Sequence, residues 1–406
     1  MTNALKQIDD YRGIVNVAVI DEITTKAAEL RGSSVVHVNA TNYGGGVAEI
    51  LDNFVLLMND LGIRTDWRVL HGIPDFFEVT KKFHNALQGA DIQFSKEELE
   101  LYKYINKKFA QFADLSHDYV IIHDPQPAAL VDYVSHSSPW IWRCHIDITK
   151  PNQQAWNFME PFIKSYERMI VSSEIYKVPK LPLQQDIISP SIDPLSPKNM
   201  DLGEEVIKDY LTQYQIPMDK PFFTQVSRFD PWKDPEGVLK IYDRVREQVD
   251  CRLVFVYNMA SDDPEGVKIY NQMLETAKDH LDRGDVLFVR GDDPILVNVM
   301  QRISDVVIQK STREGFGLVI TEALWKGTPV VASNVGGIPT QMVDSETGYL
   351  LEPLDVDGFA EKIVALMEDE DLRKKLGDQA KEHVRENFLV TSHLLDYLNL
   401  ILSLKS

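Results

Sequence analysis

Residues 310–327 read "KSTREGFGLVITEALWKG" and follow the β-branched run "DVVIQ" at 305–309. A buried strand here passes into a polar turn carrying Gly315 and Gly317, and a helix begins at once. Strand, glycine turn, helix is the building unit of a doubly wound sheet. Glu314 stands before the turn and Glu322 inside the helix. The glycines let the backbone approach a ligand closely. The amides of Phe316, Gly317 and Leu318 open a helix, lack intrahelical acceptors and point beyond the strand end. A carboxylate accepts two sugar hydroxyls well, so two carboxylates suit two sugars. For Glu322 alone, a favourable acid near a helix start is the simpler structural reading.

The unit recurs on both sides. In the second half, "PFFTQVS" (221–227), "CRLVFVYN" (251–258), "DVLFVRG" (285–291), "TPVVASN" (328–334) and "GYLLEP" (348–353) read as further strands separated by helices. In the first half the strands are "SSVVHVNAT" (33–41), "RTDWRVLHG" (64–72), "YVIIHD" (119–124), "PWIWRCHI" (139–146) and "RMIVSS" (168–173). Such alternation means parallel sheets with right-handed crossovers. The interval 75–117 is longer and mostly helical, a helical insertion. "SIDPLSPKNMD" (191–201) breaks the pattern with prolines and reads as the linker. The expectation is therefore an α/β chain of two doubly wound, Rossmann-like domains facing across a cleft. The N-terminal domain spans 1–200 and the C-terminal domain 201–385, with a helix at 386–406 packing back on the first.

Composition agrees. A chain of 406 residues exceeds one ordinary core. Hydrophobic residues are 44% and charged residues 26%, a globular balance. The net charge of −20 repels nucleic acid and anionic lipid, so an anionic ligand needs a local cluster of Arg and Lys. No apolar run spans a bilayer, and "MTNALKQIDDYRG" carries no signal-peptide pattern. The two cysteines, Cys144 and Cys251, have no metal-ligand spacing and fit a reducing cytoplasm.

Polar residues collect just after strands. "VSRFDPWKDP" offers Arg228 and Lys233 on a turn stiffened by Pro231 and Pro235. Two cations so held suit a diphosphate; two solvated surface cations are the bland alternative. "REGFG" and "NVGGIP" open on the same sheet edge. In the first half, Gly44, Gly45 and Gly46 lie between strand and helix. They partly match a dinucleotide fingerprint, but Glu49 stands at its third position and no acid follows the next strand, so a nicotinamide reading is weak. "HDPQP" (123–127) and "RCHID" (143–147) each place a histidine near a carboxylate at a strand end, which points to function at His145 and Asp147. No zinc signature, G-x-S-x-G or Walker lysine is present.

Assembled, these residues resemble a family. "REGFGLVITEAL" resembles the E-x7-E motif of retaining GT-B nucleotide-sugar glycosyltransferases, and "SRFDPWK" their diphosphate-binding Arg and Lys. "NATNYGGGVAEIL", "VTKKFHNALQG", "HDPQPAAL", "PWIWRCHID" and "SIDPLSPKN" are similar to stretches of the trehalose glycosyltransferring synthases. The matches run in order from about 33 to 350. The resemblance implies transfer from nucleoside-diphosphate glucose to glucose, giving α,α-trehalose reversibly.

By position it implies Arg228 and Lys233 on the diphosphate, Glu314 on the donor glucose and Glu322 on the ribose. Backbone contacts would come from Phe316, Gly317 and Leu318, with Gly45 and Gly46 approaching the donor. His145 and Asp147 would lie near the reacting sugars, and Asp124 and Gln126 on the acceptor side. One residue departs from the family: Asp234 stands where glycine is usual after the lysine.

No metal site and no tightly bound cofactor is expected, a divalent ion being at most a stimulant. Partners are nucleoside-diphosphate glucose, glucose and trehalose; nucleic acid and membrane are not. The oligomeric state stays open, a homodimer being the candidate assembly. The alternatives are a trehalose phosphorylase using inorganic phosphate, which shares the fold, and a non-catalytic two-domain sugar-binding protein.

Overall fold

The computed structural model describes residues 5–42, 46–258 and 264–405. The chain divides into two compact units, 1–191 with 390–406, and 192–389.

The first unit holds six parallel strands: β1 (Ser34–Asn39), β2 (Arg64–Val69), β3 (Tyr119–His123), β4 (Trp140–Arg143), β5 (Arg168–Val171) and β6 (Gln184–Ile187). Their order is β2-β1-β3-β4-β5-β6. The chain reverses direction across the sheet between β1 and β3, the switch point where ligands bind in such folds. Every residue of β1 and β3 is buried, as expected of strands covered on both faces.

Helix α1 (Val17–Glu29) and α2 (Gly46–Asp60) are followed by α3 (Pro74–Leu87), α4 (Lys96–Ala110) and α5 (Gln153–Ile163). The helical interval 75–117 is stitched into this unit. Ser95 and Glu98 form a reciprocal cap on α4. Asn152 donates to the Ile92 carbonyl at 3.1 Å. Phe83, Tyr102 and Phe94 belong to the same buried core as Trp140 and Trp142.

The second unit holds β7 (Phe222–Val226), β8 (Arg252–Tyr257), β9 (Val286–Arg290), β10 (Val306–Gln309), β11 (Val330–Ser333) and β12 (Gly348–Leu351). Their order is β12-β11-β10-β7-β8-β9, so the switch point lies between β7 and β10. Its helices are α6 (Glu204–Gln213), α7 (Pro235–Val245), α8 (Pro264–Thr276), α9 (Lys278–Arg283), α10 (Pro294–Ile303), α11 (Leu318–Trp325), α12 (Val356–Glu368) and α13 (Glu370–Asn387). The last helix, α14 (Val390–Ser403), belongs to the first unit and packs beside α1.

Three differences from the sequence expectation have physical reasons. Strand β6 is a half-exposed edge of polar residues, "QQDI", without the apolar signature of the others. The first boundary falls at 191/192 rather than 200, because 192–201 packs within the second unit. There Asn298 donates to the Pro197 carbonyl at 3.0 Å and to that of Met200 at 2.8 Å. The second crossing, at 389/390, falls a few residues beyond the expected 385. Ile192 bridges to Leu389, so both crossings meet in one place within the second unit.

Candidate active site

In the second unit the strand-end loops converge at the β7–β10 switch point. Gln225, the fourth residue of β7, donates to the Lys233 carbonyl at 2.8 Å and holds the short turn Pro231–Lys233 against the sheet. The Lys233 ammonium pairs with the Glu314 carboxylate. The same Glu314 oxygen accepts from Gln309 Nε2 at 3.2 Å and Ser311 Oγ at 3.3 Å. The structure thus brings Lys233 and Glu314 together. Arg228 lies at the start of the same loop and is exposed.

The turn between Glu314 and α11 has little freedom. Gly317 adopts φ +88, where a side chain would be strained. A Cβ on Gly337 would fall 2.4 Å from the Gly315 carbonyl oxygen. The "NVGGIP" loop therefore packs on the "EGFG" turn, and the Gly337 amide donates to the Glu314 carbonyl at 3.3 Å. Phe316 is buried, with its carbonyl taken by Gln341. Leu318 opens α11 without a side-chain cap; the Ile320 amide donates to the Gly317 carbonyl at 2.9 Å, and the amides of Leu318 and Val319 precede the helix's own hydrogen-bond ladder.

Glu322 is buried in α11. Gln301 of α10 donates to its Oε2 at 3.0 Å, and Lys198 reaches Oε1 at 3.5 Å. One turn on, Lys326 donates to the Glu322 carbonyl and to Asn199 Oδ1, each at 3.0 Å. Burial pushes the Lys326 ammonium down to about 7, opposed by the nearby Glu322 charge. Segment 192–201 therefore carries two lysine contacts into the neighbourhood of Glu322.

Asp234, the departure from the resembled family, has a structural role. It sits at φ 44, ψ 59, a left-handed conformation that glycine adopts freely. Its side chain accepts from the Gly237 amide at 3.0 Å, capping α7, and pairs with the buried Lys310. The local hydrogen bond and ion pair compensate for the conformation.

In the first unit the histidines behave differently from the expected His/carboxylate pairs. His145 Nε2 lies 2.9 Å from His123 Nδ1, and His123 Nε2 lies 2.9 Å from His37 Nδ1. Three rings from β1, β3 and the end of β4 form one chain at the β1–β3 switch point. Asp124, at φ 64, instead accepts the backbone amide of His145 at 2.8 Å. Desolvation raises its carboxyl to about 6. Asp147 is engaged by its own loop, accepting Thr149 Oγ1 at 2.6 Å and Thr149 N at 2.9 Å. Gln126 is half-buried after β3, its carbonyl accepting Asn106 Nδ2 at 3.1 Å. Gly46 opens α2; Gly45 lies outside the described residues.

The sequence reading missed His37, Gln225, Lys198, Lys310 and Gln309. A usable signal existed for His37, a polar residue inside the apolar strand "VVHVN". Lys198 carried none, because its partner is distant in sequence. Among the described residues no group of three His, Cys, Asp or Glu could hold a metal ion. No helix among them is long and apolar enough to cross a membrane.

Comparison with known proteins fits this arrangement. Residues 37–178 match the family described as "Trehalose synthase, N-terminal domain". Residues 206–383 match "Glycosyl transferases group 1". The chain is 45% identical to a trehalose synthase of Thermococcus litoralis over 98% of its length and 97% of the relative. It is 42% identical to one of Rubrobacter xylanophilus over 98% and 97%. A trehalose phosphorylase of Pleurotus pulmonarius is more distant, 28% identical over 94% of this chain and 59% of that protein. Among solved structures, an α,α-trehalose-phosphate synthase (UDP-forming) from Burkholderia xenovorans superposes with a TM-score of 0.74. It is 14% identical, covers 92% of this chain and 100% of that one, and so shows the GT-B fold alone. With strand-end chemistry, both parallel sheets and full-length similarity in agreement, the chain belongs to the trehalose synthase family of group 1 glycosyltransferases.

Proposed function

We propose that the protein is a retaining glucosyltransferase. It makes α,α-trehalose and a nucleoside diphosphate from nucleoside-diphosphate glucose and glucose, reversibly. The observation that carries this reading is the Lys233–Glu314 pair at the β7–β10 switch point, beside the opening amides of α11. Lys233 and Arg228 stabilise the diphosphate as its charge grows. Each such donor is typically worth about 3 kcal/mol of barrier. Glu314, released from Lys233 when the anion arrives, accepts hydroxyls of the donor glucose, and Glu322 serves the ribose. In the first unit, His145 and Asp124 meet the sugars, with Gln126 and Asp147 in the loops around them.

The C1–O bond to the diphosphate breaks first, giving an oxocarbenium-like sugar. The acceptor hydroxyl oxygen then bonds to C1 on the same face, and its proton passes to the departing phosphate oxygen. The cations supply what a metal would otherwise supply, so the reading assigns no resident metal. It also assigns a cytoplasmic location, since Cys144 and Cys251 are free and buried.

The phosphorylase reading has one supporting observation, the 28% identity to trehalose phosphorylase. It would leave Glu322 without a ribose to bind. The test is a reaction of ADP-, UDP- or GDP-glucose with ¹³C-labelled glucose, followed by NMR. An α,α-linked disaccharide as the first product supports the proposal. A β-linkage, or release of free glucose only, rejects it.

A further inference from the structure

The three-histidine chain of the first unit has a direction. A neutral imidazole carries one N–H and one lone pair. Along the chain, each inter-ring contact needs a donor on one side and an acceptor on the other. Two arrangements satisfy both contacts, and they differ at the ends. In one, His37 is protonated at Nδ1 and every ring passes its proton outward, leaving His145 protonated at Nδ1. In the other, every proton faces inward and His37 carries its proton on Nε2.

The inner end decides between them. His37 is fully buried, and its Nε2 has no hydrogen-bond partner among the described residues. A proton there would be a buried donor without an acceptor, the costlier defect. A bare lone pair is the cheaper one. His37 Nδ1 therefore carries the proton and donates to His123 Nε2; His123 Nδ1 donates to His145 Nε2.

The surroundings keep the rings neutral. His37 and His123 are buried, and His145 keeps only part of its surface open. Arg143 of β4 is fully buried, bonded to Ser172 Oγ at 3.3 Å, and its Nε and Nη1 have no partner among the described residues. From α14, His393 donates Nδ1 to the Ser189 carbonyl at 2.8 Å, and Tyr397 stands 6.1 Å from the His37 ring. From α2, Phe54 stands edge-on to His37 at 5.4 Å. Asp124 is held by the His145 amide. Desolvation lowers all four histidines, and the Arg143 charge lowers His123, His145 and His393 further.

We propose that His37 and His123 are positioning residues that lock His145 in its neutral Nδ1–H tautomer, so that His145 offers a hydrogen-bond donor, not a base, to a sugar hydroxyl oxygen. The inference rests on the proposed transferase reading for its substrate; the tautomer does not. Free histidine favours the other tautomer, so the lock is a property of the chain of rings. A donor at His145 leaves the acceptor proton to the departing phosphate, as the same-face mechanism requires.

The test is long-range ¹H–¹⁵N NMR on full-length protein labelled at histidine, with His145 assigned by His145→Gln. The expected result is a protonated Nδ1 and a bare Nε2 at pH 7, unchanged to pH 5. A protonated Nε2, or an imidazolium at pH 6, overturns the proposal whatever reaction the enzyme performs. His123→Gln can still accept from His37 and donate to His145, so it should keep the tautomer and nearly all of kcat. His123→Leu should release the tautomer and lower kcat roughly tenfold, the scale of one lost hydrogen bond, with KM little changed. Equal kcat in the Leu and Gln variants would also overturn it.

Discussion

The two sheets share a topology but keep different chemistry at their switch points. The second unit holds charges there: Lys233 against Glu314, Lys310 against Asp234 and Lys198 against Glu322. The first unit holds a chain of three imidazoles, His37, His123 and His145, whose protonation desolvation disfavours, with one buried guanidinium behind it. A group that must answer a phosphate has to stay ionised, so it is kept near solvent or beside an exchangeable counter-charge. A group that must orient a neutral hydroxyl works better without charge, so it can be sunk into the sheet.

The largest expected effects lie at the two cations of the second unit that the proposed reading assigns to the phosphates. Lys233→Ala or Arg228→Ala should lower turnover by roughly 100-fold or more, the scale of a lost charge-stabilising donor. Steady-state kinetics at saturating donor would show this, and wild-type turnover would remove the assignment.

The two glutamates come next. Glu314→Ala frees Lys233 from its carboxylate, so nucleoside-diphosphate binding should persist or tighten while transfer is lost. Glu322→Ala should weaken that binding about tenfold, the size of one charge-assisted hydrogen bond. Calorimetry beside rate measurements separates them, and equal losses of binding would break the division of labour.

Stability should respond to pH differently in the two units. In the first, burial lowers His37 and His393 to about 3, and His123 and His145 are lowered as well. Below about pH 6.5 the unfolded chain takes up protons that the native one refuses, so stability falls as pH falls towards 3. Asp118, lowered by its bonds from Ser34, adds to the loss. Asp124, raised to about 6, opposes it, as does Asp396 more weakly because its side chain is exposed. Four histidines outweigh them.

In the second unit, Lys326 is lowered from 10.5 to about 7. The unfolded chain takes its proton first, so this lysine's contribution to stability falls between those pH values on acidification and levels off below about 7; above about 9 the buried Cys251 thiol, pushed up to about 12, opposes it. Hydrogen exchange resolved by region should therefore show the first unit opening first at pH 4.5. Lys326→Met should flatten the alkaline slope of the second unit alone.

The smallest effects on catalysis are expected at Asp234 and from chelation. Asp234→Ala loses the cap, strands Lys310 and keeps the left-handed strain, at a cost of about 2 kcal/mol or more. Asp234→Gly relieves the strain and should cost less, as thermal denaturation would show. Removing divalent ions with EDTA should lower the rate only modestly; abolition of activity, restored by one ion, would contradict the cationic account.

How far the sequence revealed this follows from where each signal lies. Eleven of the strands read directly, because buried parallel strands are runs of Val, Ile and Phe, whereas the edge strand Gln184–Ile187 has no such run. Lys233 and Glu314 were legible because each follows a strand beside a proline or glycine. Their mutual contact was not, being 81 residues apart. The histidines were legible individually but misread as pairs with the adjacent carboxylates. Strand pairing instead sets His37 and His123 on neighbouring strands at the switch point, with His145 next across the sheet. Segment 191–201 reads as a linker by composition, yet Lys198 and Asn199 bind within the second unit.

The central claim, that a nucleoside diphosphate is the leaving group, is tested most directly by running the reaction backwards. Purified protein is incubated with trehalose and ADP, UDP or GDP, and separately with inorganic phosphate, and the glucosyl products are separated. The account predicts sugar nucleotide and free glucose with at least one nucleoside diphosphate, and no glucose phosphate with phosphate alone. Formation of glucose phosphate from trehalose and inorganic phosphate, with no sugar nucleotide from any diphosphate, would contradict it.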